Sequence, residues 1–342
     1  MSSRNRQTAL LAVGGLSLLL AARAALRKWR EYSLRNRVVL ITGGSRGLGL
    51  VLARDMLRQG AKVAICARDG AELERAFNDL GQDHRHVLTV PCDVTDRDQV
   101  HAMVGIVQQH FGGIDVLINN AGIIQVGPVE LMTHDDYEQA MNVHFWGPLC
   151  AVLAVLPSMR RRGEGRIVNI ASIGGKVSMP HLLPYNASKF ALVGLSEGLR
   201  AELAKEHITV TTVCPGLMRT GSPRHAFFKG QHRDEYTWFS IIDALPLISQ
   251  SAERAARQII AACKRGDAEV VLSLPAKLAT IVHALSPGWT ADLLGLINTL
   301  LLPGRGGIGS AQLPGKDSSS PFVPSWLTKL SDRAAERNNE ES

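Results

Sequence analysis

Val38-Val39-Leu40-Ile41-Thr42-Gly43-Gly44-Ser45-Arg46-Gly47-Leu48-Gly49 is the stretch that decides the fold. A β-branched apolar run ends in a Gly-x-x-x-Gly-x-Gly loop and passes directly into a helical stretch, Leu48 to Gln59. Glycine at 43 permits a tight turn, glycine at 47 lets backbone approach a phosphate, and glycine at 49 lets helix and strand pack closely. The helix N-terminus then offers unpaired N–H groups and the positive end of its dipole to an anion. A lone glycine-rich loop is a weak signal. Between a strand and a helix it is a strong one.

Working outward, six more strand-like runs follow: KVAICA (62–67), HVLTVPCD (86–93), DVLINNAG (115–122), RIVNIAS (166–172), TVTTVCPG (209–216) and EVVLS (269–273). They are apolar throughout, and helical stretches such as 187–205 lie between them. Such strands separated by helices predict an α/β fold, a single doubly wound parallel sheet with helices on both faces. Ligands bind at the carboxyl ends of strands in these folds, and each motif that carries chemistry falls at such an end.

The formal charge of +7 over 342 residues is modest. The basic residues do not interleave with aromatics, so no nucleic-acid partner is expected. Cys66, Cys92, Cys150, Cys214 and Cys263 show neither disulfide nor ligand spacing. Free, buried thiols in a reducing compartment and no metal are the expectation. His144, His181 and the other histidines form no ligand set and read as structural or surface residues. Asp135-Asp136 reads as a helix start.

Tyr185 and Lys189 are four residues apart, which places both on one face of a helix. An ammonium beside a phenol stabilises the phenolate and draws its pKa down from about 10 toward working pH. Tyr185 is then a proton donor to a carbonyl oxygen or an acceptor from an alcohol. Ser172 closes the preceding strand and would hold the same oxygen.

Taken in order, TGGSRGLG (42–49), CDV (92–94), NNAG (119–122), Asn142, Ser172, YNASK (185–189) and PG (215–216) resemble the short-chain dehydrogenase/reductase family. The likeness is to its compact, non-extended branch and covers residues 36–273. It implies a Rossmann-type domain in which Gly43, Ser45, Arg46, Gly47, Leu48 and Gly49 hold the dinucleotide phosphates. It further implies that Asp93 and Val94 contact the adenine, and that Asn119, Ala121 and Gly122 support the central strands and ribose. Thr220, after Pro215-Gly216, would bond the carboxamide. Lys189 would bind ribose hydroxyls, and Asn142 would seat a water on a proton path. Family members are commonly homodimers or homotetramers.

An NAD pocket usually has an acid at the tip of the second strand. Here that tip is Cys66-Ala67-Arg68, with Asp69 after it. Arg68 and Arg46 suit a 2′-phosphate, so NADP(H) is the expected cofactor. The expected activity is carbonyl–alcohol interconversion by an oxidoreductase acting on CH–OH donors. The aromatic-rich loop from Leu217 to Gln250 suggests an apolar substrate, such as a lipid, steroid or retinoid. Three rivals stand beside this: a membrane-associated structural protein, which would leave so complete a redox site unexplained, and two more. One is a non-catalytic NADP-binding scaffold or sensor. The other is a nucleotide-sugar epimerase, whose Gly-x-x-Gly-x-x-Gly spacing differs from the loop here.

Thr8 to Ala22 is a 15-residue uncharged run, extending to 19 residues at Leu26 if Arg23 snorkels. An uncleaved membrane anchor is the expectation; a signal peptide and a short interfacial or buried helix are the alternatives. Arg27, Lys28, Arg30, Arg35 and Arg37 follow the run and only Arg4 and Arg6 precede it, which keeps the following domain cytosolic. The expected division is an anchor and basic segment (1–35), a catalytic domain (36–273), an apolar helical segment (274–302) and a tail (303–342). Ser286-Pro287-Gly288 breaks the helical segment, which could cap the cleft, dock on a bilayer or join copies of the chain; structural packing is the expected use. Pro303 to Pro324 reads as a linker, with a short helix at Ser325 to Glu336.

Overall fold

The computed structural model describes residues 14, 15, 22, 31–245, 248–318 and 333–340. Seven strands form one sheet: β1 (Val38–Thr42), β2 (Lys62–Ala67), β3 (Val87–Pro91), β4 (Val116–Asn119), β5 (Gly165–Ile170), β6 (Ile208–Pro215) and β7 (Glu269–Leu272). Their order is β7-β6-β5-β4-β1-β2-β3, and every pairing is parallel. The chain winds outward in one direction through β1, β2 and β3, then crosses back to β4 and continues the other way. The reversal between β1 and β4 opens a crevice at the carboxyl ends of those strands.

Side-chain alternation explains why each strand is apolar throughout. Val39 and Ile41 of β1 face a core shared with Leu52 and Met56 of α1 (Gly47–Arg58). Ile259 and Ile260 of a C-terminal helix (Ala252–Arg265) complete that layer. Val38 and Leu40 face the opposite core, with Val104 and Val107 of a helix over Arg97–Phe111 and Val152 and Val155 of one over Gly147–Arg162. Each such side chain removed from water contributes roughly 1.5–3 kcal/mol, so burial on both faces holds the sheet together. Cys66, Cys92, Cys214 and Cys263 are buried free thiols, and Cys150 is partly exposed.

The run His134–Arg162 is apolar and long enough to cross a bilayer by length and composition, yet half of its most apolar stretch is buried in this fold. It belongs to the core. A π-helical turn at Asn142–Trp146 interrupts it. Asp135 and Asp136 do start its first helix (His134–Met141), where Thr133 and Asp136 form a capping box.

Beyond β7 two helices, Leu274–Leu285 and Pro287–Leu301, meet at the expected break. Packing against the domain does not explain them: Ala276 and Thr290 are their only buried residues. Leu285, Leu300 and Leu301 are strongly exposed.

Residues 303–318 are not the linker that their composition suggested. Leu313–Pro314 pairs antiparallel with Phe227–Phe228, and Gly230 N–H donates to the Gly309 carbonyl at 3.0 Å. A side chain at Gly307 would overlap the Gly230 carbonyl, so glycine here serves close backbone contact rather than flexibility. The helix expected at 325–336 falls largely outside the described residues; 333–337 are helical. The apolar run at 8–22 lies outside them too, apart from positions 14, 15 and 22.

Candidate active site

The glycine loop and the loop after β4 are stitched together at the switch point. The Thr42 hydroxyl accepts from the N–H groups of Asn120 and Ala121, at 3.0 and 3.1 Å. The Asn120 amide donates to the carbonyls of Thr42 and Gly43 at 3.1 and 2.9 Å. Gly43 and Gly47 hold positive φ angles of 61° and 54°. A Cβ on Gly49 would overlap the Gly43 carbonyl, which is the close helix–strand approach read from the spacing. Gly49→Ala is therefore expected to destabilise the protein by about 1–3 kcal/mol, read as a lower denaturant midpoint.

A cavity of about 840 Å³ opens over these loops. Gly43, Ser45, Arg46, Gly47 and Leu48 wall one end, and Ser172, Tyr185 and Lys189 wall the other. The glycine backbone at one end and the Ser172, Tyr185 and Lys189 side chains at the other leave a cleft of a size and shape for an extended dinucleotide. Pro215, Gly216 and Thr220 line it as well.

Ser172 follows β5 and caps a short turn, its hydroxyl accepting from Gly174 N–H at 3.0 Å. Tyr185 and Lys189 lie in the helix Leu183–Leu203. Lys189 is 4% exposed, and its Nζ donates to the Ile170 carbonyl at 2.9 Å while lying 5.7 Å from the Tyr185 ring centre. Burial pushes the lysine pKa down to about 7. Burial raises the Tyr185 phenol, and its hydrogen bond with Ser172 opposes that rise. The expected lowering of the phenol by the lysine is not found here: burial leaves Tyr185 above its ordinary value, and Ser172, not Lys189, opposes the rise.

Arg46 and Arg68 both reach the cavity, but differently. Arg46 pairs with Glu72 at 2.8 Å and meets His225 Nδ1 at 3.0 Å, while Arg68 is exposed at the rim. Asp69 caps the helix Gly70–Asp79 by accepting from the N–H groups of Ala71 and Glu72, which holds its carboxyl below the usual range. Asp93 and Val94 line the wall near them. Ala121 and Gly122 line it as well. Asn119 lies beneath, its amide donating to Asn169 at 2.8 Å in a buried network continued by Asn169 and Ser196. Asn142 begins the π turn and does not line the cavity; its neighbours Val143 and His144 do.

Three participants escaped sequence reasoning. His144 is fully buried, its ring edge-to-face with Tyr185 at 5.4 Å. Burial and the Lys189 charge hold its pKa well below the ordinary value, so the ring is neutral. Ile123 N–H donates to Nε2 at 3.1 Å, which leaves the proton on Nδ1, 2.8 Å from the Ser188 hydroxyl. Ser188 in turn donates to the Tyr185 carbonyl at 2.8 Å. Glu72 accepts from both Ser45 and Arg46. Glu340, from the far end of the chain, lines the glycine-loop end of the cavity.

The aromatic-rich loop from Leu217 to Gln250 forms a lid beside the cavity, and most of its aromatic rings pack on one another. Phe228 and Phe239 are buried against Val126 and Ala226, with Tyr236 and Trp238 packed on them. The lid therefore has a core of its own, and Phe227 is its aromatic contribution to the cavity. His181 is buried too, 2.7 Å from Glu235 of the lid helix His232–Ala244.

Residues 37–227 match the sequence profile of the short chain dehydrogenase family. A relative from Anopheles gambiae, dehydrogenase/reductase SDR family protein 7-like, is 36% identical over 269 residues, covering 77% of this chain and 83% of its own. Dehydrogenase/reductase SDR family member 7B of Bos taurus is 34% identical over 269 residues, or 76% and 81% of the two chains. A crystal structure of a short-chain dehydrogenase from Streptomyces avermitilis superposes with a TM-score of 0.66 at 30% identity, covering 76% of this chain and 98% of that one. Fold, motif order and relatives agree: the chain belongs to the short-chain dehydrogenase/reductase family, oxidoreductases that use a nicotinamide dinucleotide.

Proposed function

We propose that this protein is an NADP(H)-dependent reductase or dehydrogenase that interconverts an apolar carbonyl compound and its alcohol. The observation that carries the reading is the Tyr185 hydroxyl, hydrogen-bonded to Ser172 at one end of a cavity whose other end is the glycine loop. The nicotinamide, when bound, supplies or accepts the hydride. Tyr185 gives or takes the proton at the substrate oxygen, and Ser172 holds that oxygen in place. Lys189, one helical turn on, steadies the phenolate and binds the ribose hydroxyls; Asn142 orders a water behind it.

Arg68 supports the choice of NADP(H). It is exposed at the cavity rim with no acid at the strand tip, whereas Arg46 is already shared with Glu72. Arg68→Ala is expected to weaken NADP⁺ binding about tenfold and NAD⁺ binding less than about twofold, since a charge-assisted contact contributes roughly 1.5–3 kcal/mol. Isothermal titration with the two dinucleotides checks this, and equal losses for both would remove the 2′-phosphate role.

Ile123, Ile124, Val143, Met218 and Phe227 give the cavity an apolar wall, which suits a lipid-, steroid- or retinoid-like substrate. A membrane anchor at 8–26 agrees with substrates that partition into lipid, with the catalytic domain (36–273) on the cytosolic side. A homodimer or homotetramer is the assembly proposed. Detergent-solubilised protein mixed with NADPH or NADH and a panel of apolar ketones and aldehydes tests the reading. Oxidation of NADPH dependent on a carbonyl supports it; tight dinucleotide binding without turnover on any member favours the scaffold instead.

A further inference from the structure

Residues 333–340 lie across the end of the cleft where the dinucleotide phosphates must sit. The Asn338 carbonyl accepts the Gly47 N–H at 2.8 Å, so that donor faces this chain's own backbone. The Glu340 carboxylate stands over Gly47, where even a Cβ would collide with it, and Glu340 is 4% exposed. Asn339 donates to the carbonyls of Ser45 and Glu72 at 2.9 and 3.2 Å and accepts from Arg75 at 2.8 Å. Arg54 of α1 holds Asn338 Oδ1 at 3.1 Å and the Arg337 carbonyl at 2.6 Å. Across the cleft, Ala335 and Glu340 press on Gly221, and His225 lies 3.4 Å from the carboxylate. The segment thus touches both walls between which a dinucleotide enters.

A carboxylate at a glycine loop and helix N-terminus occupies the kind of site that takes phosphate oxygens. The tail and a phosphate cannot both fill it. We propose that residues 333–340 act as a tethered plug, so that the tail and the cofactor pyrophosphate compete for the glycine loop; this rests on the cleft taking a nicotinamide dinucleotide. The plug is held on terms that permit release. Arg46 and Arg224 face Glu340 as cations, Glu72 and Asp243 face it as acids, and His225 lies beside it. Burial dominates this balance and raises the carboxyl to about 8. A carboxyl with a raised folded value supports the docked state at low pH and loses that support as pH rises toward about 8, so the tail leaves more readily in alkali.

Two variants of the full chain separate the possibilities. Asn339→Ala combined with Glu340→Ala removes the side-chain bonds that dock the tail. It should tighten NADP⁺ and NAD⁺ binding about tenfold at pH 7, as expected where only a tenth of the molecules are open. Glu340→Gln, neutral at any pH, should keep the tail docked and weaken binding at pH 8.5 relative to the parent. Hydrogen–deuterium exchange should show cofactor protecting 43–49 while exposing 334–340. Unchanged or weaker binding in the double variant, or cofactor protecting 334–340, would make the tail a wall of the site and overturn the competition. If neither dinucleotide bound the parent or the double variant, the cofactor reading would fail and the competition with it.

Discussion

Tyr185→Phe will lower carbonyl-dependent turnover by about 10²–10⁴-fold while leaving the dinucleotide dissociation constant within about twofold. The substitution removes one hydroxyl and keeps the ring, whose edge-to-face contact with His144 and helical position are unaffected. The two nearest titratable neighbours are engaged elsewhere. His144 is held neutral by burial and already engaged at both nitrogens, and Lys189 donates to the Ile170 carbonyl. Ser172→Ala supplies the companion result. The Ser172 hydrogen bond lowers the Tyr185 phenol, so its loss should move the rising, acid-side limb of the alcohol-oxidation profile to higher pH and reduce turnover less than Tyr185→Phe. Stopped-flow nicotinamide absorbance reads both. Full turnover in Tyr185→Phe would remove the phenol from the chemistry and leave the site a binding pocket.

What the sequence disclosed, and what it hid, divides by contact range. The seven strands were legible because burial on both faces forces unbroken apolar runs, and the glycine loop because a specific backbone geometry needs glycine at 43, 47 and 49. Tyr185 and Lys189 were legible from helical spacing alone. His144 was not: two positions after Asn142 in an apolar helix, it looks like any core residue until the fold brings Ile123 and Ser188 to its two nitrogens. Glu72 reads as an ordinary first-turn acid, and only the fold turns it toward Ser45 and Arg46. The Asn339 contact with Ser45 spans 294 positions, and nothing in either local sequence announces it. Aromatic content misled in the lid because Phe228 and Phe239 could pack on each other as well as on a ligand, and they do so with rings 5.9 Å apart.

Lys189→Met should make the protein more stable and nearly inactive, a pairing that a structural lysine would not give. The ammonium lies 4% exposed with one carbonyl partner, and burial lowers its pKa from 10.5 to about 7. The sign follows from proton counting. Between about pH 7 and 10.5 the unfolded chain keeps a proton on this lysine that the folded chain has released, so this residue's contribution to stability rises with pH across that window. Below about 7 both states are protonated, and the residue stays at its most destabilising. At about 1.4 kcal/mol per pKa unit the full effect amounts to several kcal/mol, against which losing the Ile170 hydrogen bond costs about 1 kcal/mol. Methionine fills similar volume without the charge, so a net gain of about 2 kcal/mol at pH 7, or several degrees in melting temperature, is expected. The difference in urea midpoint between parent and variant should be largest near pH 7 and shrink toward pH 10. Turnover should fall about as far as in Tyr185→Phe, because the phenolate loses the charge that steadies it during proton transfer. A variant less stable than the parent across that range would mean the ammonium is fully compensated where it lies, and the phenol–lysine coupling would have to be sought in the cofactor-bound state.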